Sequence, residues 1–348
     1  MNAVLATYQA VSLLQGGPRT QILGTAGELP PFGVTAHLFD PWSPISRAGC
    51  DIFHLFAANI GTYHLAREVA GMGVPMVVSP IVFSSHPSRT VRRRVRLAGA
   101  LQRFRPGIWS DYGLTAEICS WAVRLTPNTR AEGELLIHGY GVPASRVTVI
   151  PNGVDERFAT GDPELFRKRY GLADFILNVG HVGPARKNTL ALIRALGTID
   201  HPAVIIGRVT RDAAGEACVR EAARHKQILL LDRIENDSAM LASAYAACRV
   251  FALPSLFETP GIAALEAALA GAQIVITPHG GTREYFGDMA TYVEPDSVEA
   301  IRAGILRGLE EPRVERLREH VREQFLWSRV AELTAGVYRA ALRELETQ

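Results

Sequence analysis

The chain of 348 residues lacks several things, and each absence narrows its reading. No apolar run approaches the roughly 20 residues that a helix needs to cross a bilayer. The first residues, Met-Asn-Ala-Val-Leu-Ala-Thr-Tyr, carry no basic segment of the kind that opens a secretory signal. A soluble or peripheral protein is expected. Its four cysteines, Cys50, Cys119, Cys218 and Cys248, are scattered without paired spacing, so neither a zinc site nor a disulfide framework is indicated. A reducing cytoplasm suits them. Neither sign of charge dominates: 37 Lys and Arg against 35 Asp and Glu leave a net charge of +2. That excludes a globally basic nucleic-acid binder while leaving local patches open. No low-complexity segment interrupts the chain. What is present is an ordinary α/β composition, 47% apolar and 21% charged, at a length that favours two domains with separate cores.

The most informative stretch is 250–271. Val250 to Leu253 is a short apolar run of the kind used by a buried parallel strand. Pro254 and Ser255 break it. Thr259 suits an N-cap, Pro260 the first helical position and Gly271 the stop. The spacing predicts strand, loop, helix, with open backbone N–H groups and the positive helix end at the carboxyl edge of a sheet. Phosphates bind such an end. Glu258 precedes the expected cap and Glu266 follows it within Ala263-Ala-Leu-Glu-Ala-Ala-Leu269, so Glu266 lies on a largely apolar, buried helix and needs a partner. A diphosphate on the helix end could then offer hydroxyl groups to a carboxylate on either side.

Pro-Ser-Leu-Phe-Glu258-x7-Glu266, followed by Ala-x-x-x-Gly, resembles the nucleotide-sugar motif of retaining family 4 glycosyltransferases. The likeness is dense in the second half of the chain and thinner in the first. It implies the GT-B fold, two Rossmann-like domains facing each other across a cleft. The domains are expected over 1–160 and 161–327, with a final helix over about 328–348 crossing back onto the first. Pro151-Asn-Gly-Val-Asp155 marks the exit from the first domain, with a hinge near 156–170 and the return near Phe325-Leu-Trp-Ser-Arg.

In the second half, Phe175 to Gly180 is a strand, and His181-Val-Gly-Pro-Ala-Arg186-Lys187 leads into the next helix. Two adjacent cations there can neutralise a diphosphate, one as a point charge and one as a planar fork. The resemblance makes Lys187 the phosphate-binding lysine. Many relatives carry an Arg where His181 stands, so either Arg186 compensates or His181 meets phosphate itself. Thr259, Gly261 and Ile262 are expected at the donor phosphates, Glu258 at the transferred sugar and Glu266 at the ribose. Pro260 removes one backbone donor that relatives usually have. No Asp-x-Asp pair occurs, so no metal-bridged diphosphate is indicated.

In the first half, Gly16-Gly17 resembles a glycine loop bordering the cleft in the family. Taken from the residues alone, a Gly-Gly pair is more often only a turn; the resemblance brings the two readings level. His54 alternates with apolar neighbours and reads as a satisfied core histidine. Relatives place a His directly after the strand Val74 to Pro80; here His86 comes several residues late and is a weak candidate. Residues 89–105 hold seven arginines and no acidic residue. Val91, Val95 and Ala98 recur at helical spacing, as do Leu97, Leu101 and Phe104, giving a basic amphipathic helix. It suits an anionic membrane surface or a lipid-diphosphate acceptor, or else a solvated face.

The resemblance therefore implies a retaining, metal-independent glycosyltransferase without a cofactor. It would move sugar from a UDP- or GDP-sugar to a hydroxyl of a lipid-linked or soluble glycan, in bacterial-type polysaccharide or glycolipid assembly. The expected location is cytoplasmic, with peripheral contact at the inner face of the membrane. The rival readings are a non-catalytic nucleotide-sugar-binding subunit and a GT-B-like sugar-nucleotide epimerase.

Overall fold

The computed structural model describes residues 1–14, 16–104, 109–313 and 315–346. The chain divides into two units, Met1–Gly153 with Trp327–Gln348, and Val154–Leu326. The first boundary falls ahead of the hinge expected at 156–170. Residues after Gly153 already belong to the second core: Phe158 is buried and meets the Tyr245 ring edge-on at 5.4 Å, and Val154 N–H donates to the Phe325 carbonyl at 2.7 Å.

The first unit holds β1 (Asn2–Ala6), β2 (Thr35–Leu38), β3 (Ile52–Phe56), β4 (Met76–Ser79) and β5 (Arg124–Leu125). All pairs are parallel, in the order β2-β1-β3-β4-β5. Both faces are covered, as near-continuous apolar strands require. Phe53, Leu55, Met76 and Val78 pack with Leu114 and Ile118 on one face. Ile52, Phe56 and Val77 pack on the other with Trp327, Val330 and Tyr338 of the final helix, Trp327–Glu346. His54 takes the second face. Its ring nitrogens meet Tyr338 Oη at 2.6 Å and Ser79 Oγ at 2.9 Å, and burial lowers its pKa to about 3. It is a neutral core histidine.

The second unit holds β6 (Ile176–Val179), β7 (Ala203–Ile206), β8 (Ile228–Leu231), β9 (Val250–Leu253), β10 (Gln273–Ile276) and β11 (Thr291–Tyr292). These are also all parallel, in the order β11-β10-β9-β6-β7-β8. Leu177, Phe251 and Ile274 face the helix Ile262–Leu269, while Ile176, Val250 and Val275 face Ile193 and Ile305 on the opposite side. Strand order reverses between β6 and β9. Ligands of open parallel sheets bind at such a switch point, outside the carboxyl ends of the strands.

Candidate functional site

The loops that leave β6 and β9 meet at this switch point. After β6, Ala185–Lys187 forms a 3-10 turn and Asn188 adopts a left-handed φ of 53°. Asn188 Nδ2 donates to the carbonyls of Pro254 at 3.0 Å and Pro295 at 2.8 Å. Leu256 N–H donates to Arg186 O at 2.8 Å, and Arg186 Nη1 donates to Phe257 O at 2.9 Å. The two loops are thereby stitched together, and their functional side chains share one position.

Glu258 is only 5% exposed, not a solvated loop charge. Its carboxylate accepts from Lys187 Nζ at 2.6 Å and Ser255 Oγ at 2.8 Å, with Arg186 Nη1 at 3.3 Å. Burial acts to raise its pKa. Lys187, Arg186 and the two hydrogen bonds outweigh that, so the carboxyl lies below its ordinary value and is ionised at neutral pH. Lys187 has three donors and uses one on Glu258, leaving others for an anion. The Arg186 side chain is 54% exposed beside it.

The helix begins later than the sequence suggests. It spans Ile262–Leu269 with Gly261 as N-cap, so Thr259 is not the cap and Pro260 is not the first helical residue. The Thr259–Pro260 bond is cis. Gly261 has a φ of 83°, a region glycine enters without strain, and a Cβ there would stand 2.9 Å from Leu253 Cδ2. No side chain caps the helix start at the switch point, where Ala264 N–H turns back to Gly261 O at 2.8 Å. Gly280, in the loop after β10, also has a structural reason. Its φ is 102°, and a Cβ would lie 2.0 Å from Glu258 O, so the backbone that approaches Gly280 is the protein's own.

Glu266 is 4% exposed and has the partners its setting demands. Tyr245 Oη donates to it at 2.7 Å and Asn236 Nδ2 at 2.8 Å. Asn236 is held in turn by Arg157 Nη2, which donates to its Oδ1 at 2.9 Å and its carbonyl at 2.7 Å. Burial pushes the Glu266 pKa up to about 7, against the opposing hydrogen bonds. His181 is half-buried next to the loop cations. Burial, then the charges of Lys187, Arg208, Arg233 and Arg186, hold its pKa below the ordinary value.

The structure therefore brings together Arg186, Lys187, His181, Glu258, Gly261 and Ile262 in the second unit, with Glu266 on the same short helix. Gly16, Gly17 and His86 belong to the first unit. Gly16 is an extended N-cap with φ −128°, which any residue adopts, and Gly17 opens the helix Gly17–Glu28. His86 is exposed in the loop before the helix Ser88–Phe104. Arg105, included in the expected basic helix, lies outside the described residues. Sequence reading did not anticipate Ser255 as a partner of Glu258, or Asn236 and Tyr245 as partners of Glu266. Asn236 offered no signal, because its contact depends on tertiary packing.

Two parallel α/β units, the second with Lys187 and Arg186 gathered on Glu258 at its switch point, define a GT-B glycosyltransferase architecture. The chain belongs to the family 4, group 1 glycosyltransferases: residues 173–311 match the family model described as Glycosyl transferases group 1, and residues 43–158 match Glycosyltransferase Family 4. It is 28% identical over 304 residues to the D-inositol 3-phosphate glycosyltransferase of Geodermatophilus obscurus, covering 81% of this chain and 66% of that protein. For two other curated relatives the chain spans 56% and 54% of their length. Sucrose-phosphate synthase of Thermosynechococcus elongatus shares the fold with a TM-score of 0.75 at 17% identity, over 99% of both chains. The Anabaena protein HepE, solved with UDP and glucose, does so with a TM-score of 0.68 at 15% identity, over 97% of this chain and 99% of its own.

Proposed function

We propose that the chain transfers a sugar from a UDP- or GDP-sugar to a hydroxyl acceptor, with retention of anomeric configuration and without a metal or cofactor. The observation that carries this reading is the Lys187–Glu258–Arg186 cluster beside the uncapped helix start at Gly261. In the reaction the bond from the anomeric carbon to the diphosphate oxygen breaks, and a bond to the acceptor oxygen forms. The acceptor proton passes to the departing diphosphate, so no separate base is required. Lys187, Arg186 and the helix end stabilise the leaving charge, Glu258 holds hydroxyl groups of the transferred sugar, and Glu266 holds the ribose. HepE, whose structure contains UDP and glucose, supports a nucleotide-sugar donor.

On the first unit, Gly16, Gly17 and His86 are proposed acceptor-side residues. The helix Ser88–Phe104 exposes Leu97 (62%), Leu101 (49%) and Phe104 (85%), with Arg93, Arg94 and Arg96 also exposed. Apolar and cationic side chains on one exposed helix support contact with an anionic membrane or a lipid-linked acceptor. No described helix is long and apolar enough to cross a membrane. A thermal-shift screen against UDP, GDP, ADP and their sugars tests the donor, because a ligand bound only by the folded state raises its melting temperature. Slow release of nucleoside diphosphate from the stabilising donor would identify an enzyme. Its absence with every acceptor would favour a binding subunit, and release of an epimeric nucleotide-sugar would favour an epimerase.

A further inference from the structure

Three neighbouring strands of the second unit are each followed by a basic residue. Val179, Ile206 and Leu231 stand in register across β6, β7 and β8. Two residues beyond each come His181, Arg208 and Arg233. Between the first two segments the pairing continues past the strands. Gly180 N–H donates to Ile206 O at 3.0 Å, Val182 N–H to Arg208 O at 3.0 Å and Thr210 N–H to Val182 O at 2.9 Å. Val182 and Val209 form a parallel bridge. The backbones at Gly180 and Gly207 are close enough that a Cβ on Gly207 would lie 1.7 Å from Gly180 O. His181 and Arg208 are therefore held side by side, at the ~4.8 Å spacing of adjacent strands.

The counter-charges are distributed unevenly. Glu258 pairs with both Lys187 and Arg186, one negative charge against two positive ones, and Glu235 pairs with Arg233. Arg208 is exposed and, among the described residues, enters no ion pair. It does contribute to the positive field on His181. Gathering these cations at one sheet edge costs repulsion that a bound anion would relieve.

We propose that Arg208 is a donor-binding residue whose guanidinium, beside His181, takes oxygens of the diphosphate in the nucleotide-sugar. This rests on the function proposed above and adds a phosphate contact from the strand next to the one that supplies Lys187. The planar fork suits two phosphate oxygens at once, and no buried structural role competes for it.

Calorimetric titration of the full chain with UDP, GDP and ADP tests the assignment. Arg208→Gln should weaken binding of the preferred diphosphate about 10- to 100-fold, the range for loss of a charged hydrogen-bonding partner. Arg208→Lys should lose less, because it keeps the charge but not the fork. Arg302→Gln, which removes an exposed arginine from the helix Val298–Glu310, should leave affinity unchanged. Matching unfolding midpoints would show that all variants are folded. Unchanged affinity in Arg208→Gln, with the unmutated chain binding normally, overturns the role of Arg208 alone. Equal weakening by Arg302→Gln also overturns it, in favour of a general charge effect. If the unmutated chain binds none of the three diphosphates, the proposed donor function falls and Arg208 falls with it.

Discussion

Lys187 Nζ donates to Glu258 Oε1 at 2.6 Å, joining residues 71 positions apart across the switch point of the second sheet. The Glu258 side chain is 7% exposed, so removing the lysine leaves a buried carboxylate with Arg186 and Ser255 as its remaining partners. Lys187→Ala should lower turnover by about a hundredfold through loss of leaving-group stabilisation. It should also cost about 2 kcal/mol of stability at pH 7, less than the usual cost of a broken buried pair because Arg186 remains. The folded Glu258 has a lowered pKa, so its stabilising contribution is present above the unfolded value of 4.5 and disappears as pH falls through the folded value. Denaturant unfolding at pH 7 and pH 3 should show the mutant's deficit shrinking in acid. An equal deficit at both would contradict the ion-pair account.

Glu266 predicts the opposite pH slope. Its folded carboxyl keeps a proton up to about pH 7, while the unfolded one releases it near 4.5. The folded state binds more protons in that window, and stability falls as pH rises through it. Glutamine cannot ionise. Relative to the unmutated chain, Glu266→Gln should therefore gain up to about 3 kcal/mol between pH 4.5 and pH 8, at 1.36 kcal/mol per pH unit. Parallel stability curves would refute this.

The two carboxylates should also separate by ligand. Glu266→Gln is expected to weaken both nucleoside diphosphate and nucleotide-sugar, since the ribose is common to them. Glu258→Gln should weaken the sugar-bearing ligand alone. Equal effects on plain diphosphate, read by calorimetry, would exchange or remove these roles.

Gly280→Ala tests the backbone behind Glu258. The added Cβ would meet Glu258 O at 2.0 Å and Phe257 Cε2 at 2.7 Å, in a backbone conformation that side chains avoid. A loss on the order of 1–3 kcal/mol is expected, together with weaker nucleotide-sugar binding as Glu258 shifts. An unchanged melting temperature and affinity would mean that the loop relaxes freely.

The basic helix of the first unit should sediment with anionic liposomes. Replacing Arg93, Arg94 and Arg96 by Gln should reduce binding, each contributing about 1 kcal/mol near an anionic surface, with the effect falling as salt rises. Arg92 is spared because its guanidinium is packed against Gly141. Leu97→Ser with Leu101→Ser should weaken the binding that persists at high salt. No binding by the unmutated chain at low salt would point to a soluble acceptor.

The order of strands and helices was legible in the sequence because its signals act over a few residues. The apolar run 250–253, its Pro-Ser break and the alanine-rich helix after it mark one strand–loop–helix unit wherever the unit is placed. The start of that helix was less legible. Thr259 and Pro260 carry good capping chemistry, but the chain turns at Gly261, which is left-handed and where a side chain would crowd Leu253. Tertiary structure alone decided the partners. Strand order places β6 beside β9, bringing the loop of Lys187 to that of Glu258. The final helix returns to the first sheet and gives His54 a hydroxyl from Tyr338, 284 residues away. Packing of the loop after β8 supplies Asn236 to Glu266. Period and breaker residues encode local conformation, whereas these contacts arise from a non-sequential strand order that buries both sheet faces, and no local pattern carries that order.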